Sequence, residues 1–583
     1  MTRFVAACSA LLVIACSPGA DPARDAATLA QLLDHAHERM IANSVQLQFK
    51  YERPIERLPD LSLAHLDREA ATARAILDTL ATIDRASLPE SDQVSADALE
   101  WFLTGVVAAP QYHFLSLASI TPYQSPLTNE LLFLGRDMPL GTTDERARYL
   151  ARLSEVPALA DTIRAGLVAR AERGIRIPKP EIQQIVGALA SLTAPGAASP
   201  YAPSKARIDA LPDSARDAFS TAVARIVDDR LNPAVTRLAD YLNGDYLQAA
   251  PTEVGLRQYP GGEAYYRYRV ALNTTLDLAP ETIHQTGLDY MARLEGSMDS
   301  LLKVMGFSGT RAQFQASIAK DPRFRARTPE EVGARYQKYH EAIKPLTPKL
   351  FSREPKAPGE FRRLNPALEA SQTYGFYQPP TPASPVGIYF YNASNLATRS
   401  LFTIPSIAYH ELVPGHHFQI TLADENPDLP KFRRDLYTTA HGEGWAEYAT
   451  ALAGELGLYA DPYDYYARLI MEAFLTMRLV VDPGMNLLGW SRERAMDYMR
   501  EHTMMAESEI VSESLRYSVD LPAQALGYKV GAMEFHRLRG SAQSALGASF
   551  DVRAFHALIL DAGGLPMSVV GRMVDRWVAS QRR

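Results

Sequence analysis

The chain has 583 residues, 47% of them hydrophobic and 22% charged, with a net charge of −7 and a pI near 6.1. That composition belongs to a large folded protein with more than one small core, and it excludes a disordered chain. Acids and bases are interspersed along the whole length without a basic stripe, so no nucleic-acid partner is expected.

The N-terminus reads as an export signal. Arg3 precedes an apolar run from Phe4 to Ala15 that only Ser9 interrupts. The run is too short to span a bilayer and suits the apolar core of a signal peptide. It closes on Val13-Ile14-Ala15-Cys16, which resembles a bacterial lipobox, where the Cys is acylated after cleavage. Residues 1–15 are therefore expected to be a lipoprotein signal peptide, and residues 16–25, opening Cys16-Ser17-Pro18-Gly19, a tether. A lipid on Cys16 would hold the exported chain to a membrane facing the periplasm. Ser17, where an Asp would favour the inner membrane, points to the outer one. The only other cysteine, Cys8, lies inside the signal, so no disulfide is expected in the mature chain.

Beyond the tether the signals are helical. Apolar residues recur at spacings of three and four over Ala26–Ile41, Ala71–Ile83, Asp144–Arg173, Ser214–Leu242 and Pro280–Met305. Thr142 with Glu145, and Thr328 with Pro329 and Glu331, read as capping boxes. The Ala194–Pro203 patch, rich in Pro, Ala and Ser, reads as a loop. Glu354–Pro385, rich in proline, reads as a long surface excursion. It leads into the one clear strand, Gly387–Asn392, which is β-branched and aromatic. Helices resume over Asp464–Met477, Arg492–Met505, Pro522–Arg539 and Val552–Leu560. The expected fold class is mainly α with a small sheet. Residues 26–330 would form an N-terminal helical part and residues 331–583 a catalytic part, together one continuous domain.

The chemistry concentrates in two short segments. The first is Tyr409-His410-Glu411-Leu412-Val413-Pro414-Gly415-His416-His417. His-Glu followed by His on a helix is the zincin pattern: two imidazoles for Zn²⁺ and a Glu that takes a proton from water. The spacing is longer than the usual four. On an unbroken helix His416 would face another side, and His417 would lie about 10.5 Å further along the axis. Pro414 cannot donate to the carbonyl of His410 and Gly415 tolerates unusual dihedrals, so a bulge or kink is expected there. A two-residue bulge favours His416 as the second ligand, with His417 as the alternative.

The second segment is Gly442-Glu443-Gly444-Trp445-Ala446-Glu447-Tyr448. Its two acids, four apart, share a helix face. Glu443 is assigned to the metal and Glu447 to a supporting place behind the ligands. The ligand set of imidazole and carboxylate without thiolate points to one Zn²⁺, though cobalt or manganese would be tolerated by the same set.

These segments resemble the bacterial family called domain of unknown function 885, whose hallmarks are His-Glu-x-x-Pro-Gly-His-His and Gly-Glu-Gly-Trp-Ala-Glu-Tyr. Similarity continues at Tyr265-Tyr266, Pro280–Gly287, Arg516-Tyr517, Pro522–Ala525 and Gly563–Met567. More distantly the family resembles gluzincin peptidases such as peptidyl-dipeptidase A and thimet oligopeptidase. That resemblance implies a two-lobed helical fold with a deep cleft and a small sheet beside the metal. It implies Glu411 as general base and an oxyanion donor in the C-terminal half, for which Tyr517 and Tyr528 are the candidates. Arg516 would meet an acidic group of the substrate. An edge strand would pair with the substrate backbone, making Tyr389 and Tyr391 cleft-lining residues. The implied activity is hydrolysis of short or unfolded peptides, of oligopeptidase or carboxypeptidase type. Hydrolysis of another amide, and peptide or metal binding without turnover, are the alternatives; the presence of Glu411 speaks against the last.

Overall fold

The computed structural model describes residues 21–53, 58–121, 125–366, 369, 374–381 and 384–582. Cys16 and the signal segment lie outside the described residues. The fold is mainly helical with one small sheet. Among the described residues, no helix is long and apolar enough to cross a membrane.

The first helix spans Pro22–Ala42, capped by the Asp21 side chain accepting from the Arg24 amide, so the last residues of the expected tether are helical. Thr143–Ala171 starts at a complete capping box: Thr142 accepts from the Glu145 amide and Glu145 from the Thr142 amide. At Thr328 only half of the box forms, because the Glu331 carboxylate turns to the Arg327 amide instead. The helix foreseen over Ser214–Leu242 is continuous but carries a π turn at Val227–Leu231. The one foreseen from Pro522 starts later, at Leu526. Ala523 sits in the left-handed region (φ 68°), with its amide held by the Asp482 carboxylate at 3.0 Å, which no helix allows.

The proline-rich excursion holds two strands that the sequence reading missed. Strand β1 (Gly359–Arg363) runs parallel and β2 (Gly375–Gln378) antiparallel to β3 (Gly387–Tyr391), in the order β1-β3-β2. The strand foreseen as an edge is therefore the central one, and β2 forms an edge.

Buried apolar residues gather in two clusters. One takes Leu153, Val227, Leu238 and Tyr266 together with Leu479 and Leu515. The other takes Leu29 and Leu99 together with Ile343, Tyr409, Trp445, Phe535 and Val570. Each draws on both sides of residue 330, so the cores do not divide at that boundary. In the second cluster Trp445 meets the Phe535 ring edge-on at 5.7 Å between centroids. Full burial of such a ring contributes roughly 1.5–3 kcal/mol.

Candidate metal centre

The Tyr409–His417 segment is two helices with a break between them. Ile404–Glu411 ends just after the first imidazole, and His416–Asp424 begins at the second. The expected bulge is thus a full interruption at Leu412–Gly415. The returning chain passes so close that a Cβ on Gly415 would lie 1.8 Å from the carbonyl oxygen of His410, leaving glycine as the residue that fits. Trp445, buried on the neighbouring helix Thr439–Glu455, donates its indole N–H to the Pro414 carbonyl at 2.9 Å and pins the break. That helix packs tightly on Leu526–Leu546: a Cβ on Gly444 would lie 2.6 Å from the Cα of Gly531. Gly444 thus belongs to a close helix crossing, whereas a Cβ on Gly442 would lie 2.5 Å from the Tyr437 ring.

The break brings His410 and His416 onto one point. Their rings lie 4.7 Å apart and nearly perpendicular. Glu443 Oε2 stands 3.4 Å from His410 Nε2 and 3.2 Å from His416 Nε2. Among the described residues, these three side chains are the group whose ligand atoms gather, all within 4.8 Å of one another. Ligand atoms about 2.0–2.2 Å from a tetrahedral zinc lie about 3.3–3.6 Å from each other, so the donor set fits a zinc ion. Three protein ligands also leave a fourth position open, the pattern of catalytic sites.

His417 is excluded as a ligand. It is buried, with Nε2 on the Ala357 carbonyl at 3.1 Å and Nδ1 on the Tyr377 hydroxyl at 3.0 Å, so both nitrogens are used on the sheet side. Glu447 lies on the wall of the same site but pairs away from the imidazoles: its carboxylate lies 2.9 Å from Arg468 and accepts from Thr450.

Burial would raise Glu443, but His416 and His410 more than reverse this and hold its carboxyl well below the usual range. Burial pushes Glu411 up, with Glu443 adding to it and both imidazoles opposing. A carboxylate raised in this way is a better proton acceptor near neutral pH.

Glu411 and the three ligands line a chamber of about 460 Å³, together with Tyr374, Phe376, Tyr377, Tyr437, Arg478, Arg516 and Tyr528. Of the two candidate donors, Tyr528 is on this wall, with its ring parallel to His410 at 6.4 Å. Burial pushes its phenol up to about 12, which keeps it protonated. Tyr517 is not on the wall. It is fully buried, with its hydroxyl donating to Glu513 and accepting from Arg478 at 2.8 Å. Arg516 reaches the wall as foreseen. Tyr389 and Tyr391 do not: both are buried, packed against Tyr336 beneath the sheet. The chamber-lining strand is the edge β2 instead, through Gly375, Phe376 and Tyr377.

Two wall residues escaped the sequence reading. Tyr437 is 55% exposed and points its hydroxyl at Glu443 Oε1, 3.3 Å away. It also lines an adjoining cavity of about 700 Å³ with Phe49, Phe376, Pro379 and Ile420. Arg478 is the other. Neither lies in a motif with a recognisable spacing.

A model of a bacterial protein family of unknown function, DUF885, matches residues 45–574. No curated protein matches. The crystal structure of a protein assigned as a lipoprotein from Colwellia psychrerythraea is similar, with a TM-score of 0.87 and 28% identity over 95% of this chain and 99% of that one. One from Shewanella oneidensis, assigned as a lipoprotein of unknown function, has a TM-score of 0.70 and 17% identity over 94% and 99%. The second likeness is of fold alone.

Proposed function

The chain belongs to the bacterial DUF885 family, and from the chemistry of its site we propose that it is a zinc-dependent peptidase acting on short or unfolded peptides outside the cytoplasm. The observation that carries the reading is the convergence of His410, His416 and Glu443 within 4.8 Å, with Glu411 on the wall of the same chamber. A binding site needs the ligands alone; the added buried carboxylate supplies a base.

His410, His416 and Glu443 would hold one Zn²⁺. The ion supplies Lewis acidity there, bringing the pKa of a water towards neutrality. Glu411 accepts the proton of the attacking water and returns it to the leaving amine. Tyr528, protonated and on the same wall, donates to the oxygen on which charge develops. Tyr437 donates to the outer oxygen of Glu443 and orients that carboxylate. The outer edge of β2 offers main-chain groups to an extended peptide, which explains tolerance of sequence. The gluzincin resemblance, with two lobes around a deep cleft, fits this reading. So does a lipid anchor on Cys16, in keeping with the lipoprotein assignment of the Colwellia and Shewanella proteins.

The test is digestion of a mixed peptide library by purified mature protein, followed by mass spectrometry, before and after chelation and after zinc is restored. Cleavage that chelation abolishes and zinc restores is the expected result. Stoichiometric zinc without cleavage of any peptide contradicts the reading.

A further inference from the structure

We infer that Arg478 and Arg516 form a subsite for a carboxylate of the substrate, on the chamber wall that also carries Glu411; this rests on the peptidase reading. Arg478 lies on the helix Pro462–Asn486 and Arg516 follows the helix Glu507–Leu515. Their side chains are 4% and 14% exposed. Both pair with one carboxylate, Glu513, at 3.3 Å from Arg478 and 3.1 Å from Arg516. Arg516 also donates to Gln524 at 2.9 Å, and Arg478 to the Tyr517 hydroxyl at 2.8 Å. Glu513 is thus shared by two guanidinium groups.

Of the three acids on the wall, Glu443 pairs with the imidazoles and Glu447 with Arg468, and Glu411 is the base of the peptidase reading. Nη1 of Arg478 is buried and has no hydrogen-bond partner among the described residues. A buried guanidinium N–H without a protein partner is costly unless water or a ligand completes its pairing. The guanidinium is also held in place: Phe474 and Tyr528 lie under it at 4.3 and 4.7 Å from their centroids. A planar guanidinium held rigid and short of an anion is matched by a carboxylate, which is planar and accepts two N–H donors.

Arg478, Arg516 and Glu411 line one chamber of about 460 Å³, so the bound carboxylate lies near the bond being cut. Two sources present that chemistry: the α-carboxylate at the C-terminus of a peptide, and an Asp or Glu side chain.

Three matched peptides separate them, assayed for kcat/KM with the zinc-loaded full chain. The first has a free C-terminus and no acidic side chain, the second is its C-terminal amide, and the third is the amide with one Glu. Cleavage of the first at least tenfold faster than the second, without rescue in the third, supports the subsite and assigns it to the C-terminus. Rescue in the third supports it and assigns it to a side chain. In either case Arg516→Gln, checked for an unchanged melting temperature, should shrink the carboxylate preference at least fivefold. If all three peptides are cut within twofold of one another, the subsite is overturned while the peptidase reading stands. If none is cut, the peptidase reading falls and the subsite with it.

Discussion

One helix, Thr439–Glu455, carries two carboxylates one turn apart with opposite surroundings. Glu443 faces two imidazoles and a phenol, with Glu411 on the wall of the same chamber. A divalent ion held there would offset the charge of Glu443. Glu447 faces Arg468, which also lies 3.4 Å from Glu472, which in turn pairs with Lys529. This second cluster is complete in itself, two acids and two bases, all largely buried. The balanced cluster holds the helices together, and the other is the one we propose to hold zinc.

The sharpest way to break that comparison is to truncate each cluster. Glu443→Ala should cut zinc content from one per chain to near zero and activity by at least about 10²-fold, with little change in folding. Zinc retained at full stoichiometry would put the metal elsewhere. Arg468→Met should do the reverse: zinc stays, but removal of the cation leaves the buried Glu447 carboxylate without its ion pair, while Glu472 keeps Lys529. Urea denaturation should show a loss of about 3–5 kcal/mol.

Acid titration sharpens the same contrast. Against burial, Arg468 and Lys529 pull Glu472 down to about 2 from its ordinary value of 4.5. A lowered carboxyl stabilises the fold fully above about 4.5, and that contribution disappears as the pH falls towards 2. At the other cluster, protons compete with zinc for the imidazoles. Burial opposes it, but Glu443 holds His416 above 6.5 in the metal-free chain. Zinc should therefore leave as the pH falls through roughly 6 to 5, with circular dichroism unchanged until below about 4. Loss of zinc and of fold at one pH would contradict the separation.

The smallest effect concerns His417, the neighbour of a ligand. His417→Ala should keep one zinc and cost about 1–3 kcal/mol, because it strands the Ala357 carbonyl and the Tyr377 hydroxyl. Loss of zinc in that variant would mean the ligand assignment is off by one residue.

The convergence of His410, His416 and Glu443 was legible because imidazole and carboxylate types, the Pro-Gly break and the doubled glycines around Glu443 lie within a few turns of one another. The form of the break was not: spacing calls for a bulge, but only the return of Gly415 onto the His410 carbonyl shows two separate helices. The long helices were legible from their apolar period, since packing on one face demands it. Strands β1 and β2 were hidden because each is short, half-exposed and set among prolines, and only pairing with β3 makes them strands. Missing them made β3 look like an edge and sent Tyr389 and Tyr391 to the cleft. Tyr517 was misplaced for a similar reason. It follows Arg516 directly in sequence, yet only tertiary packing shows its hydroxyl turned to Glu513 and Arg478. Arg478 and Tyr437 carry no local signal, because the tertiary fold alone puts them on the chamber wall.

The central claim is that Glu411 acts on substrate while His410, His416 and Glu443 hold zinc. It is tested most directly by Glu411→Gln, with zinc content and peptide cleavage measured on the same sample. The account predicts one zinc per chain in both proteins and a fall in kcat of about 10²–10⁴-fold in the variant. Equal cleavage by the two zinc-loaded proteins would contradict it.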